Sequence, residues 1–189
     1  MNISDVIKKR RSIDPDNFNG KIVEENIINE MLEAANWAPT HGFTEPWRFV
    51  VFAKDKAKAF GQMHADLYKT LTPADQFLQK KYDKLKNRPN LTSHVIVCVN
   101  KRGDKSNIPE LEEIAATSCA IQNMLLVAAD NNVGTFWSTG GMCYTDEMRE
   151  TLGFEKQDQV LGFIFVGHYD IANPEGKRTT SIEEKTKWM

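Results

Sequence analysis

The stretch from Glu110 to Asn131 constrains this chain more than any other, because it has the length of a long helix and carries no charge between Glu113 and Asp130. Ile114, Ala115, Ile121, Leu125 and Ala128 spread around such a helix instead of forming one narrow stripe, so it is expected to be buried on more than one side. A helix of that kind belongs in the middle of a layered structure, with other elements packed around it. Gly134 is expected to end it.

The flanking segments supply those layers. Ser4 to Lys9 reads as a short helix capped by Ser4 and ending in the cations Lys8 to Arg11. Val23 to Trp37 carries Ile27, Ile28, Met31, Leu32 and Ala35 at helical spacing, and Pro39 helps to stop it. Pro46 disfavours helix at Glu45, and Trp47 to Ala53 is then dense in aromatic and β-branched residues, as a buried strand requires. Lys56 to Lys86 reads as a helical excursion within about 56–90, with a restart at Thr72-Pro73. His94 to Val99 and Leu161 to Val166 are strands, Lys101 to Pro109 is a surface loop, and Thr135 to Ser138 is a short extended piece. Asp146 to Leu152 is a short helix capped by Thr145 and ended by Gly153. Tyr169 to Met189 is a polar extension that forms no core of its own. Without a repeat, linker or composition break, residues 1–189 read as one α+β domain.

Charge and cysteine content narrow the function. The 24 basic and 26 acidic residues give a net charge of −2 without long runs of one sign, which disfavours nucleic acid and anionic membrane surfaces as partners. The apolar run from Met124 to Ala129 is far short of a membrane span, and no apolar block follows the N-terminal cations, so a cytoplasmic protein is expected. Cys98, Cys119 and Cys143 are odd in number and lack CxxC spacing. They are expected to be reduced and packed as small apolar residues, with no metal site. A hydrolase built on Cys98 and His94 is disfavoured, because four residues along a strand separate them by more than 12 Å.

Three segments are able to carry chemistry. In Arg10-Arg11-Ser12, two planar guanidinium forks and a hydroxyl suit a phosphate, although the helix dipole also favours cations at that position. Trp37-Ala38-Pro39-Thr40-His41-Gly42-Phe43-Thr44-Glu45-Pro46-Trp47 makes a rigid corner between helix and strand. In Trp137 to Gly141, the glycines allow either a turn or the close approach of a flat ligand to backbone.

Taken in order, these segments resemble the FMN-dependent nitroreductases, and the short chain with His41 in its corner is most similar to the compact YdjA-like members. The resemblance implies a nitroreductase-like fold: a central, mainly antiparallel sheet flanked by helices, in an intertwined homodimer with the long helix and the flavin at the interface. It implies that Arg10, Arg11 and Ser12 hold the phosphate and ribityl arm of FMN. Trp37 and His41 would contribute contacts from the corner, His41 reaching the flavin of the other subunit. Trp137, Ser138, Thr139 and Gly140 would line the ring and offer a backbone N–H to N5, and Arg178 would return to the phosphate.

The implied activity is hydride transfer from NAD(P)H through flavin N5 to a nitroaromatic, quinone or similar small acceptor, with no protein nucleophile. The rivals are a flavin-binding sensor and a relative devoted to dehalogenation or enoate reduction. Two departures stand out. Asp14 occupies a position where many relatives carry a cation, so it is expected to point away or be offset by Lys21 or Arg48. Glu45 replaces the usual glutamine before Pro46-Trp47.

Overall fold

The computed structural model describes residues 2–105 and 107–189; Met1 and Ser106, in the N-terminal stretch and the 101–109 loop, lie outside the described residues. Four strands, β1 (Trp47–Ala53), β2 (His94–Asn100), β3 (Gly134–Ser138) and β4 (Gln159–Gly167), form one sheet in the order β1-β2-β4-β3. Every pairing is antiparallel. Around it stand α1 (Ile3–Lys9), α2 (Glu25–Asn36), α3 (Asp55–Leu71), α4 (Gln79–Asn87), α5 (Glu110–Asp130) and α6 (Asp146–Thr151).

Strand alternation divides the core in two. On one face Ile96, Cys98, Ile164 and Val166 meet Ile28 and Met31 of α2 and Ala120, Ile121 and Met124 of α5. On the other, Val95, Val97, Phe163 and Phe165 meet Phe60 of α3 and Met148 of α6. β2 is buried at every position, as its continuous apolar sequence requires. The α+β class and the antiparallel sheet agree with the reading of the sequence.

Several local expectations are corrected. Asn2, not Ser4, caps α1, its Oδ1 accepting the Asp5 N–H at 3.1 Å. No helix restarts at Thr72-Pro73. Pro73 makes an isolated turn closed by the Gln76 N–H, and α4 begins only at Gln79, after the Tyr68 hydroxyl has taken the Leu78 N–H at 3.0 Å. After α5 the chain turns through Asn132, at φ +55°, while Gly134 opens β3. Asn is among the residues that tolerate this left-handed conformation.

Burial of α5 is also less complete than expected. Its uncharged surface packs on α2 and the sheet, but Leu111, Ala115, Cys119 and Gln122 form an open stripe, flanked by half-buried Ser118 and Leu126. Cys119 is therefore exposed; the expectation of buried cysteines holds for Cys98 and Cys143. The extension beyond Tyr169 is exposed and docks through Asn173, whose amide donates to the Lys9 carbonyl at 2.8 Å. No helix of the described residues is long and apolar enough to cross a membrane.

Candidate functional site

The end of α1 feeds directly into the sheet edge. Ser12 forms a parallel bridge with Thr135, and the Ile13 N–H donates to the Thr135 carbonyl at 2.9 Å, so Arg10-Arg11-Ser12 is moored beside the start of β3. Arg11 grips the C-terminal extension, Nε donating to the Pro174 carbonyl at 2.8 Å and Nη1 to the Lys8 carbonyl at 2.6 Å. Gly176 lies directly against this guanidinium, where a Cβ would fall 2.1 Å from Arg11 Nη2 and push it aside. The extension thereby carries Arg178 toward Arg10. Burial, and then the charges of Arg11 and Arg178, hold the Arg10 guanidinium below its ordinary pKa. Among the described residues none of these three arginines belongs to an ion pair. Three guanidinium groups are thus gathered without an ion-pair partner among the described residues, and Arg10 and Arg11 border a small recess of about 10 Å³.

Two residues along β3 from Thr135, about 7 Å by strand rise, stands Trp137. Its indole lies across β4, donating to the Leu161 carbonyl at 3.1 Å. Gly162 makes room for it: at φ +147°, a Cβ there would fall 2.1 Å from the indole nitrogen. Ser138 projects to the opposite face, and Thr139, Gly140 and Gly141 follow as an exposed turn. The expected ring-lining segment therefore presents its backbone and Ser138 on one side and the Trp137 ring on the other.

Asp14 is not isolated, and the cation beside it is neither Lys21 nor Arg48. Arg88, just after α4, places Nη2 3.5 Å from Asp14 Oδ2 and stacks its guanidinium over Phe136 of β3 at 4.7 Å. Arg48 instead donates to the Glu45 and Trp47 carbonyls at the corner. Asp14 also caps the turn Pro15–Asn17. Arg88 was missed in the sequence because its partners lie 74 and 48 residues away, with no local pattern to announce them.

His64 is the second group missed. This α3 residue is buried, and its Nε2 accepts the Met142 N–H at 2.9 Å, immediately beyond the glycine turn. Burial, reinforced by Arg88 and Lys81, lowers its pKa to about 4. Below about pH 6.5 the unfolded chain protonates this imidazole while the folded chain does not, so stability is lost as pH falls toward 4 and no further below it. The loss reaches about 3 kcal/mol across that window. Urea unfolding at several pH values checks this, and the slope should shrink in H64Q.

The corner lies elsewhere. Trp37, at the end of α2, is exposed and donates its indole N–H to Glu33 at 2.9 Å, and His41 places Nδ1 2.5 Å from Glu112 Oε2. Glu112 is in the first turn of α5, whereas Lys9 reaches Asn132 just past its last turn. Twenty helical residues separate these points by about 30 Å, so one chain does not bring His41 to the arginine ledge. Two cavities of about 540 Å³ lie away from the ledge. The first holds Arg102 and Arg149, both already paired with carboxylates, and the second is bordered by Glu24, Glu25 and His94. Burial pushes the Cys98 thiol far up and that of Cys143 to about 12, which removes both as nucleophiles.

An antiparallel sheet between two helical layers, with an arginine ledge leading along an edge strand to a glycine turn, defines an α+β protein. The chain belongs to the nitroreductase family, whose sequence profile matches residues 7–168. It is 30% identical to the provisionally named NAD(P)H nitroreductase YfhC of Bacillus subtilis, over 97% of this chain and 92% of that protein. It is 28% identical to the likewise provisional NAD(P)H nitroreductase YdjA of Escherichia coli, over 82% and 80%. Among solved structures, a nitroreductase-like family protein from Bacillus cereus superposes with a TM-score of 0.86 at 30% identity, over 100% of this chain and 96% of that one. A Bacteroides fragilis nitroreductase with bound FMN shares the fold at TM-score 0.75 and 20% identity, over the full length of both.

Proposed function

We propose that this protein is an FMN-dependent NAD(P)H oxidoreductase acting as a cytoplasmic homodimer on a nitroaromatic, quinone or similar small acceptor. The observation that carries the reading is the cluster of Arg10, Arg11 and Arg178, without an ion-pair partner among the described residues and tied through Ser12 and Thr135 to the strand that ends at the glycine turn. Guanidinium groups kept together against their mutual repulsion suit a phosphate monoester. The residues present therefore fit FMN. Arg10, Arg11, Ser12 and Arg178 would hold its phosphate and ribityl arm; Trp137, Ser138, Thr139 and Gly140 would border the ring.

Bound FMN supplies the redox chemistry, accepting hydride from NAD(P)H and passing reducing equivalents to the acceptor. The chain's own tasks are to bind, orient and shield. Backbone N–H groups of the glycine turn would donate to the ring edge without a Cβ in the way. Arg88 would offer positive charge on that side, tempered by Asp14.

The separation of the two candidate regions supports the dimer reading. The open stripe of α5 is long, uncharged and small enough to seat its own copy. Antiparallel pairing of two such helices would bring the Trp37–His41 corner of one subunit to the arginine ledge of the other. Ile182 and Trp188, 68% and 92% exposed on an extension with no core, would then find cover on the partner.

The test is the visible spectrum of the purified protein before and after FMN loading, with its mass in solution. Flavin bands that bleach anaerobically with NADH or NADPH, on a particle of twice the chain mass, are expected. A protein that takes up no FMN would end this reading, whereas bound FMN that neither nucleotide reduces would favour a flavin-binding sensor.

A further inference from the structure

His64 lies on α3, outside every segment assigned above, yet it supports the turn at the end of β3. Its ring is wedged between Phe60 and Phe163, with centroids at 5.7 and 5.2 Å, which fixes the plane of the imidazole. From that wedge Nε2 accepts the Met142 N–H at 2.9 Å. An acceptor at Nε2 needs a lone pair there, so the ring proton resides on Nδ1. The same nitrogen lies against Gly141, whose φ is +68° and whose added Cβ would come within 2.2 Å of it. Met142 is also held from the other side, its carbonyl accepting from the Thr145 hydroxyl at 2.9 Å.

We propose that His64 is a positioning residue for the cofactor site: by accepting the Met142 N–H, it fixes the Gly140–Gly141 turn and so aims the backbone donors that border the flavin ring. The inference rests on the FMN reading given above and adds to it a residue that touches neither cofactor nor substrate. Imidazole suits the task because it is rigid, presents one acceptor, and remains neutral beside the cations Arg88 and Lys81, the charged groups that act on it. An apolar side chain of similar size would fill the space but leave the Met142 N–H without its partner.

The experiment compares wild type, H64L and H64Q, the last keeping an acceptor that reaches about as far as Nε2. Amide exchange at Met142 in flavin-free protein should accelerate about tenfold in H64L, as expected for the loss of one hydrogen bond, and return toward wild type in H64Q. With FMN bound, H64L should shift the flavin's midpoint potential and absorption bands and lower kcat about tenfold or more. Its FMN affinity should hold within about threefold, because the phosphate contacts are untouched; H64Q should restore the potential. If H64L does not fold, H64N replaces it, being polar but too short to reach Met142. An unchanged Met142 exchange rate, or a lowered Tm with potential and spectrum unmoved, would overturn the role of His64. Wild type that takes up no FMN instead overturns the cofactor reading, and the positioning role with it.

Discussion

Glu113→Ala is expected to lower the unfolding free energy by about 3–5 kcal/mol, the cost of removing one partner from a buried ion pair. Glu113 is only 1% exposed although it sits in the first turn of α5. Its carboxylate pairs with Arg102 and accepts the Gly103 N–H at 3.2 Å. Arg102 is in turn committed through Nη2 to the Ile108 carbonyl at 2.7 Å, and its backbone N–H donates to buried Asp158 at 2.9 Å. Alanine would leave Nη1 of the largely buried Arg102 guanidinium and the Gly103 N–H without an acceptor. Urea unfolding checks the value, and Glu113→Gln, which keeps an acceptor, should lose less. A change below about 1 kcal/mol, the range of an exposed pair, would show that water replaces the carboxylate readily.

The same substitution reaches the corner. Lys105, on the loop that Glu113 braces, donates to the Gly42 carbonyl beside His41. Loosening that loop removes a support of the segment proposed to serve the partner's site. Under the dimer reading, the stability loss should be accompanied by weaker FMN retention, although Glu113 lies at the end of α5 remote from its own subunit's arginine ledge.

Legibility in the sequence followed the range of the interactions concerned. β1 was read at its observed limits, β2 and α5 to within a residue, and the Thr145 and Gly153 ends of α6 correctly, because each is set by neighbours in the chain. The late start of α4 was hidden because a hydroxyl ten residues upstream, on Tyr68, takes the Leu78 N–H. Arg10, Arg11 and Ser12 were legible as a motif, but their gathering with Arg178 depends on Arg11 gripping Pro174, 163 residues away. Asp14 looked like a charge in the wrong place. In the fold it caps one turn and pairs with Arg88, a partner that neither spacing nor composition could select. The 78-residue separation between His64 and Met142 hid that contact in the same way.

Arg10→Glu should weaken FMN binding by about a thousandfold. Losing a hydrogen bond to a charged group accounts for roughly 1.5–3 kcal/mol of that, and setting a carboxylate against a phosphate adds more. The sharper part of the prediction concerns the flavin-free protein. Arg10 is held below its ordinary pKa by burial and by the like charges of Arg11 and Arg178, so in the empty protein the cluster is under repulsion. Glutamate would turn that repulsion into attraction, and the Tm of flavin-free protein should stay the same or rise. Opposite signs in the two measurements distinguish a ligand seat from a structural cluster, because sites built for a ligand commonly carry a cost to stability. Titration by flavin fluorescence gives the affinity, and thermal unfolding of flavin-free protein gives the stability. A lower Tm together with undiminished FMN affinity would mean that these arginines serve the fold, and that the phosphate, if held at all, is held elsewhere. Added salt should narrow the affinity gap between wild type and variant, since Arg10 and Arg11 are only partly buried and Arg178 is exposed, which leaves them within reach of screening ions.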